Sequence, residues 1–233
     1  MFFDLDGKRC WGRRIGAAER GAPLILLLAG EYSRETEELT ARLLSLTEAG
    51  ALPAFVLAGA DPRDWDADYS PWPVLTPGGR SFPGGAEETG QFYRERLLPR
   101  LREEFPCGED VFPVGYSLGG LAALYLFCRG GFAGCGSCSG SLWYPGWTDY
   151  LREHPAPGRV YLSLGGRERN TKDPLMGRVE EETFATKKIL EATARVVWVK
   201  EPGGHFRDIP GRLARAVAWL LGPEQGRGPG PLG

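Results

Sequence analysis

The stretch Asp110-Val-Phe-Pro-Val-Gly-Tyr-Ser-Leu-Gly-Gly-Leu-Ala-Ala-Leu-Tyr-Leu-Phe-Cys-Arg129 changes character at its serine. Asp110 to Val114 reads as a short buried strand. Leu118 to Arg129 reads as a helix whose first turn carries small residues. The joint between them, Gly115-Tyr116-Ser117-Leu118-Gly119, spells G-x-S-x-G on a strand-to-helix turn, which is the nucleophile elbow. With 34 glycines in 233 residues, chance alone supplies that pattern roughly 0.2 times per chain, so the strand and helix around it carry the assignment. The glycines have a mechanical reason. Ser117 must stand on a sharply turned, strained backbone, and side chains two residues before and after it would strike the neighbouring strand and helix. The Leu118 N–H at the helix start then presents positive potential to a developing oxyanion.

A serine nucleophile needs a base, and the chain has only two histidines, His154 and His205. His154 stands in Arg152-Glu-His-Pro-Ala-Pro-Gly158, a polar connection, and reads as a solvated loop residue. His205 follows the strand-like run Arg195-Val-Val-Trp-Val-Lys200, in the loop Glu201-Pro-Gly-Gly-His-Phe206. The loop after the last strand is the place for the base when the chain order is Ser, acid, His. The acid is then expected after the penultimate strand. Val160 to Leu164 is that strand, and Glu168 lies just past its end, placed to orient the imidazole. Asp173 and Asp208 are alternatives, and so is a Ser–His dyad without a carboxylate.

The rest of the chain alternates strands and helices. Leu24 to Ala29 is an apolar run of the kind buried in a parallel sheet covered on both faces. Glu35 to Glu48 has helical periodicity, and Ala54 to Ala58 is the next strand. Glu87 to Glu104 reads as an amphipathic helix interrupted by Pro99. After the elbow come a small-residue strand within 132–140, the strand at 160, a helix from Val179 to Ala192, the strand at 195 and a closing helix from Pro210 to Leu221. This predicts an α/β fold with a mainly parallel, doubly wound sheet flanked by helices and no large lid domain. Residues 1–221 form one domain on this reading, and 222–233, rich in Gly and Pro, form a flexible tail.

Composition bounds the chemistry. A net charge of −2 and the lack of a Lys/Arg block speak against nucleic acid as a partner. No apolar run approaches the ~18 residues of a membrane span. The opening Met1-Phe-Phe-Asp-Leu-Asp-Gly-Lys8 lacks the basic-then-apolar order of a signal peptide, which makes cytoplasmic the expected location. Five cysteines at irregular spacing suit a reducing compartment. Cys135-Gly-Ser-Cys138 matches C-x-x-C, but positions three apart on a strand point to opposite faces, so the two thiols cannot converge on a metal. No metal or cofactor is expected, and monomer and homodimer stay equally open.

The pocket is expected to draw on two loops. The second oxyanion donor should be the N–H of Glu31 or Tyr32, in the loop Gly30-Glu-Tyr-Ser33 after the first central strand, with Gly30 allowing close approach. Aromatic residues crowd two irregular stretches, Trp65 to Pro73 and Ser141 to Tyr150. Trp72, Trp143, Tyr144 and Trp147, with Tyr116 beside the nucleophile, are candidates for substrate contact, and core packing is the competing role for the four loop residues.

Several of these pieces together resemble the esterase-D-like branch of the α/β-hydrolases, which includes S-formylglutathione hydrolases, feruloyl and acetyl-xylan esterases and enterobactin-type siderophore esterases. The resemblance spans roughly residues 20 to 221. It rests on Gly-Tyr-Ser117-Leu-Gly-Gly, Asp68-Tyr-Ser-Pro-Trp72, Ser81-Phe-Pro-Gly-Gly-Ala-Glu87 with the helix from Phe92 to Leu101, Ser139-Gly-Ser-Leu-Trp143 and Gly-Gly-His205-Phe. It implies an α/β-hydrolase fold with Ser117 as nucleophile and His205 as base. The stretch Ser163-Leu-Gly-Gly-Arg-Glu168 is similar to the family's acid strand. The chain departs from the family in its short N-terminal strands, in lacking a basic cluster suited to a catecholate–iron anion, and in lacking an evident glutathione site.

The expected activity is hydrolysis of a small to medium carboxylic ester (sugar, aromatic or siderophore ester) through an acyl-enzyme on Ser117. Two competing readings remain at this stage. One is an acyltransferase on the same three residues, and the other is a non-catalytic binding protein on a hydrolase fold.

Overall fold

The computed structural model describes residues 1–222. The expected tail therefore lies outside the described residues, apart from Gly222. The first two strands, β1 (Phe2–Leu5) and β2 (Lys8–Ile15), form an antiparallel pair at one edge of the sheet. Then come β3 (Ala22–Leu28), helix α1 (Arg34–Glu48) and β4 (Phe55–Ala60). The connection that follows holds the short helix α2 (Trp65–Asp68) and a two-stranded hairpin of β5 (Val74–Leu75) and β6 (Ser81–Phe82). Helices α3 (Ala86–Phe92) and α4 (Leu98–Glu104) precede β7 (Cys107–Tyr116) and the elbow helix α5 (Leu118–Cys128). The chain closes with β8 (Gly134–Cys138), α6 (Trp147–Glu153), β9 (Gly158–Gly165), α7 (Val179–Leu190), β10 (Ala194–Glu201) and α8 (Ile209–Leu221).

The sheet order is β1-β2-β4-β3-β7-β8-β9-β10, parallel from β4 to β10. This is the α/β-hydrolase fold with no large lid. Period-2 alternation across a two-sided sheet splits the core into two layers. Leu24, Leu26 and Leu28 face one layer with α4, α5 and α6, whereas Ile25 and Leu27 face the other with α1 and α8. Cys135 belongs to the first layer and Cys138 to the second, so the C-x-x-C thiols do stand on opposite faces. Both are buried and free.

Two local expectations are corrected. Pro99 does not break the helical run: a π-turn over Tyr93–Leu97 joins α3 to α4, and the Leu98 N–H reaches back to the Tyr93 carbonyl. The wider turn shifts the hydrogen-bond register just ahead of the proline, which has no N–H to offer. His154 is not a solvated loop residue either. It closes α6 half-buried, with its ring stacked on Tyr150 at 4.1 Å.

Candidate active site

Ser117 sits between β7 and α5 at φ 57° and ψ −123°, a conformation that a side-chain-bearing residue rarely adopts. The glycines around it explain how the turn closes. A Cβ on Gly115 would lie 2.1 Å from the Gly119 carbonyl oxygen, and one on Gly119 would lie 2.3 Å from the Leu28 carbonyl oxygen. Strand, helix and neighbouring strand are thus in backbone contact, which is possible only with hydrogen at both positions.

The structure brings Ser117, His205 and Glu168 together. His205 Nδ1 lies 2.7 Å from Glu168 Oε2, and Nε2 lies 3.0 Å from Ser117 Oγ. An ionised carboxylate only accepts, so Nδ1 carries the proton and Nε2 accepts the Ser117 hydroxyl. Glu168 is buried, which by itself raises its pKa. Hydrogen bonds from His205 and Ser139, the charge interaction with His205 and the Gly165 N–H outweigh that and hold the carboxyl below its usual 4.5. Ser139 Oγ donates to Oε1 at 2.7 Å and Gly165 N–H at 2.6 Å. Ser139 is itself strained, at φ 47°. Asp173 and Asp208 lie elsewhere. Asp173 accepts the Leu175 and Met176 N–H groups, and Asp208 pairs with Arg42 and Arg215.

Arg212, which the sequence reading did not single out, and Tyr116, expected only as a substrate contact, complete the arrangement around Glu168 and His205. Arg212, fully buried on α8, donates to Glu168 Oε1 at 2.9 Å. The Tyr116 hydroxyl donates to the His205 carbonyl and accepts from Arg212 at 3.0 Å. Burial pushes the Tyr116 phenol up to about 12, so it stays protonated and can donate. A signal for Arg212 existed in the spacing: 212, 216 and 220 fall on the helical stripe of the buried residues Ala216 and Leu220.

The loop after β3 is built differently from the expectation. The Tyr32 N–H donates to Asp61 Oδ1 at 2.9 Å and is not offered to Ser117. Glu31 lines the pocket with Leu118, so of the two residues proposed for the second donor only Glu31 faces it. A Cβ on Gly30 would meet nothing within 4 Å, so this glycine leaves room in the pocket and does not relieve a contact. The Leu118 N–H opens the helix, with no earlier turn to accept it.

A pocket of about 610 Å³ opens over Ser117. One side, between α1 and α8, is walled by Thr36, Leu39 and Leu213. The other is walled by Trp65, Phe82, Trp143, Met176 and Val179, with Arg80 and the exposed Phe206 also in the lining. Of the loop aromatics expected here, only Trp143 reaches it, alongside Tyr116. Trp147 is buried and donates to Thr186 Oγ1 at 2.9 Å. The Tyr144 hydroxyl donates to the Trp72 carbonyl, and the Trp72 indole donates to the Pro145 carbonyl. Tyr144 and Trp72 thus fasten one loop to the other, while Trp147 ties α6 to α7, and all three spend their polar groups on packing because such N–H and O–H groups need partners when removed from water. Among the described residues, no group of three or more His, Cys, Asp or Glu is placed to hold a metal ion, and no helix is long and apolar enough to cross a membrane.

Comparison with known proteins adds the family. The profile of the Esterase family, described as "Putative esterase", matches residues 14–200, a stretch that contains Ser117 and Glu168. The chain belongs to the Esterase family. Membership makes it a carboxylic ester hydrolase. The uncharacterized protein YbbA of Bacillus subtilis (strain 168) is 26% identical over 195 residues, 75% of this chain and 76% of that one. An IroE-like serine hydrolase from Shewanella oneidensis shares the fold at a TM-score of 0.78 with 16% identity, over 92% of this chain and 75% of its own. The enterobactin esterase FES from Shigella flexneri superposes at a TM-score of 0.71 with 26% identity, over 91% of this chain and 55% of its own.

Proposed function

We propose that this Esterase-family protein cleaves its ester through an acyl-enzyme on Ser117, with His205 as general base and Glu168 as the orienting acid. The observation that carries this reading is the single imidazole bridging a strained serine at 3.0 Å and a buried carboxylate at 2.7 Å. Ser117 Oγ attacks the ester carbonyl carbon while His205 Nε2 takes the hydroxyl proton. Glu168 stabilises the imidazolium so formed. The carbonyl oxygen gathers negative charge against the Leu118 N–H and the backbone at Glu31. Collapse of the tetrahedral intermediate breaks the bond to the alcohol, which leaves with the proton from Nε2. Water, deprotonated by the same nitrogen, then attacks the acyl carbon and frees Ser117.

The substrate is a small-molecule ester whose acyl or alcohol part is apolar or aromatic. The pocket size falls within the ~300–1,000 Å³ usual for small ligands, and Trp65, Phe82, Trp143 and Met176 give it an apolar wall. The fold shared with enzymes described as a siderophore hydrolase and as an enterobactin esterase, the latter in the presence of 2,3-dihydroxy-N-benzoyl-glycine, supports aromatic esters within that class.

The test is turnover of p-nitrophenyl acetate, butyrate and octanoate by wild type, Ser117→Ala and His205→Ala, with fluorophosphonate labelling followed by peptide mapping. The expected result is turnover lost in both variants and label on Ser117. Turnover that survives Ser117→Ala rejects the mechanism.

A further inference from the structure

We propose that Arg212 is a positioning residue that holds the acid and the base loop in one register; the role rests on the assignment of Ser117, His205 and Glu168 above. One guanidinium meets four segments that are distant in sequence. The two N–H groups of Nη1 are shared among three acceptors within hydrogen-bond distance: Tyr116 Oη at the end of β7 (3.0 Å), Ser139 Oγ just past β8 (2.7 Å) and Glu168 Oε1 after β9 (2.9 Å). Nη2 donates to the carbonyls of Pro202 and Gly204, at 3.0 and 2.9 Å, in the loop that carries His205.

Two consequences follow from this placement. With Arg212, Ser139 and the Gly165 N–H all on Oε1, only Oε2 is left for His205, so the carboxylate cannot rotate away from the imidazole. The Pro202 and Gly204 carbonyls fix the backbone just before His205, while the Tyr116 hydroxyl takes the His205 carbonyl itself. The Glu168 side chain is 4% exposed and Arg212 is 1% exposed. Without Arg212 a carboxylate so deep would have no permanent cation beside it, and Arg212 supplies one. The other charges nearby are already spent on one another: Glu201 pairs with Arg215, and Asp208 with Arg42 and Arg215. A planar fork sets one nitrogen against the Glu168 side and the other against the Pro202 and Gly204 carbonyls, whereas the single nitrogen of a lysine can reach only one of these groups.

The test compares Arg212→Met and Arg212→Lys with wild type on p-nitrophenyl butyrate, with active sites counted by fluorophosphonate. Folding is checked by near-UV circular dichroism. The second readout is the ¹H NMR resonance of the hydrogen-bonded His205 Nδ1 proton, assignable because the chain has only two histidines and His154→Gln removes the other. The expected result for Arg212→Met is a kcat lower by about 10²-fold with KM within about threefold, as for a catalytic group displaced by an ångström. Its folded form should lose the Nδ1 resonance. Arg212→Lys, which keeps the charge and loses the fork, should lower kcat at least about tenfold and shift the resonance. Folded Arg212→Met with wild-type kcat and an unchanged resonance overturns the proposal. If the Met variant does not fold, wild-type kcat and resonance in Arg212→Lys overturn it. The resonance is also recorded in the Ser117→Ala background. There a response to Arg212 is read without turnover, so failure of the nucleophile assignment and failure of this proposal give different results.

Discussion

Gly115→Ala adds one methyl group on the face of β7 that carries α5, and the structure says where it lands. The new Cβ would stand 2.1 Å from the Gly119 carbonyl oxygen and 2.3 Å from its carbon, whereas real Cβ contacts essentially never fall under 3.0 Å. The obstacle is backbone, not the end of a flexible side chain, so the first turn of α5 must retreat by about 0.9 Å. That turn carries Ser117 and the Leu118 N–H, and the retreat pulls both from His205. Overpacking of this kind costs about 1–3 kcal/mol, which in a chain of this length lowers Tm by roughly 2–12 °C. A misplacement near 1 Å at the reacting atoms costs on the order of 10² in rate. The assay pairs a thermal melt with p-nitrophenyl butyrate turnover per folded molecule. Gly78→Ala is the control, since its Cβ would meet only Thr76 Oγ1 at 3.9 Å. Gly115→Ala with wild-type Tm and kcat within about threefold refutes the claim that backbone contact at the elbow sets the geometry of the nucleophile.

Three further outcomes are expected. Glu168→Gln should lower kcat by about 10³–10⁴-fold, since an amide can hold the imidazole in the wrong tautomer; steady-state kinetics against wild type measures it, and a loss under tenfold argues for a dyad. Because the Glu168 carboxyl is held below its usual 4.5 in the folded protein, its contribution to stability is complete above that pH and disappears as pH falls through the folded value. Melts from pH 7 to pH 3 should therefore fall less steeply in Glu168→Gln than in wild type. Trp143→Ala should change KM and the acyl-chain-length profile, whereas Trp147→Phe should leave that profile alone and lower Tm by removing the bond to Thr186.

The nucleophile elbow was legible because its demands are local: two glycines, a serine and a change of hydrophobic period within ten residues. The meeting of His205 and Glu168 with Ser117 was legible because chain order limits where partners for such a serine can stand, and histidine is scarce here. The pocket wall was not. Trp72 and Tyr144 sit in irregular stretches and Trp147 at the start of α6, where orientation depends on which carbonyl or hydroxyl from another segment accepts the indole or phenol, and no local period encodes that. Arg212 was missed for a related reason. The closing helix offers two similar cations, Arg212 and Arg215, and the ordinary expectation for such a helix is a solvated charged face. Its spacing from Ala216 and Leu220 put Arg212 on the buried stripe, but an arginine there makes sense only once Glu168 is known to lie beneath it.

Strand β8 has no large side chain anywhere along Gly134-Cys-Gly-Ser-Cys138, and it lies under α8. A Cβ on Gly136 would come within 3.3 Å of Ala216 Cβ, one turn beyond Arg212. The bareness of this strand therefore acts as a spacer of minimum thickness, setting how deep α8 can sink and so how far its guanidinium reaches. A valine at 136 would touch nothing in the pocket. It would lift the helix, and the alignment of Glu168 with His205 would be lost through a change made one layer below them.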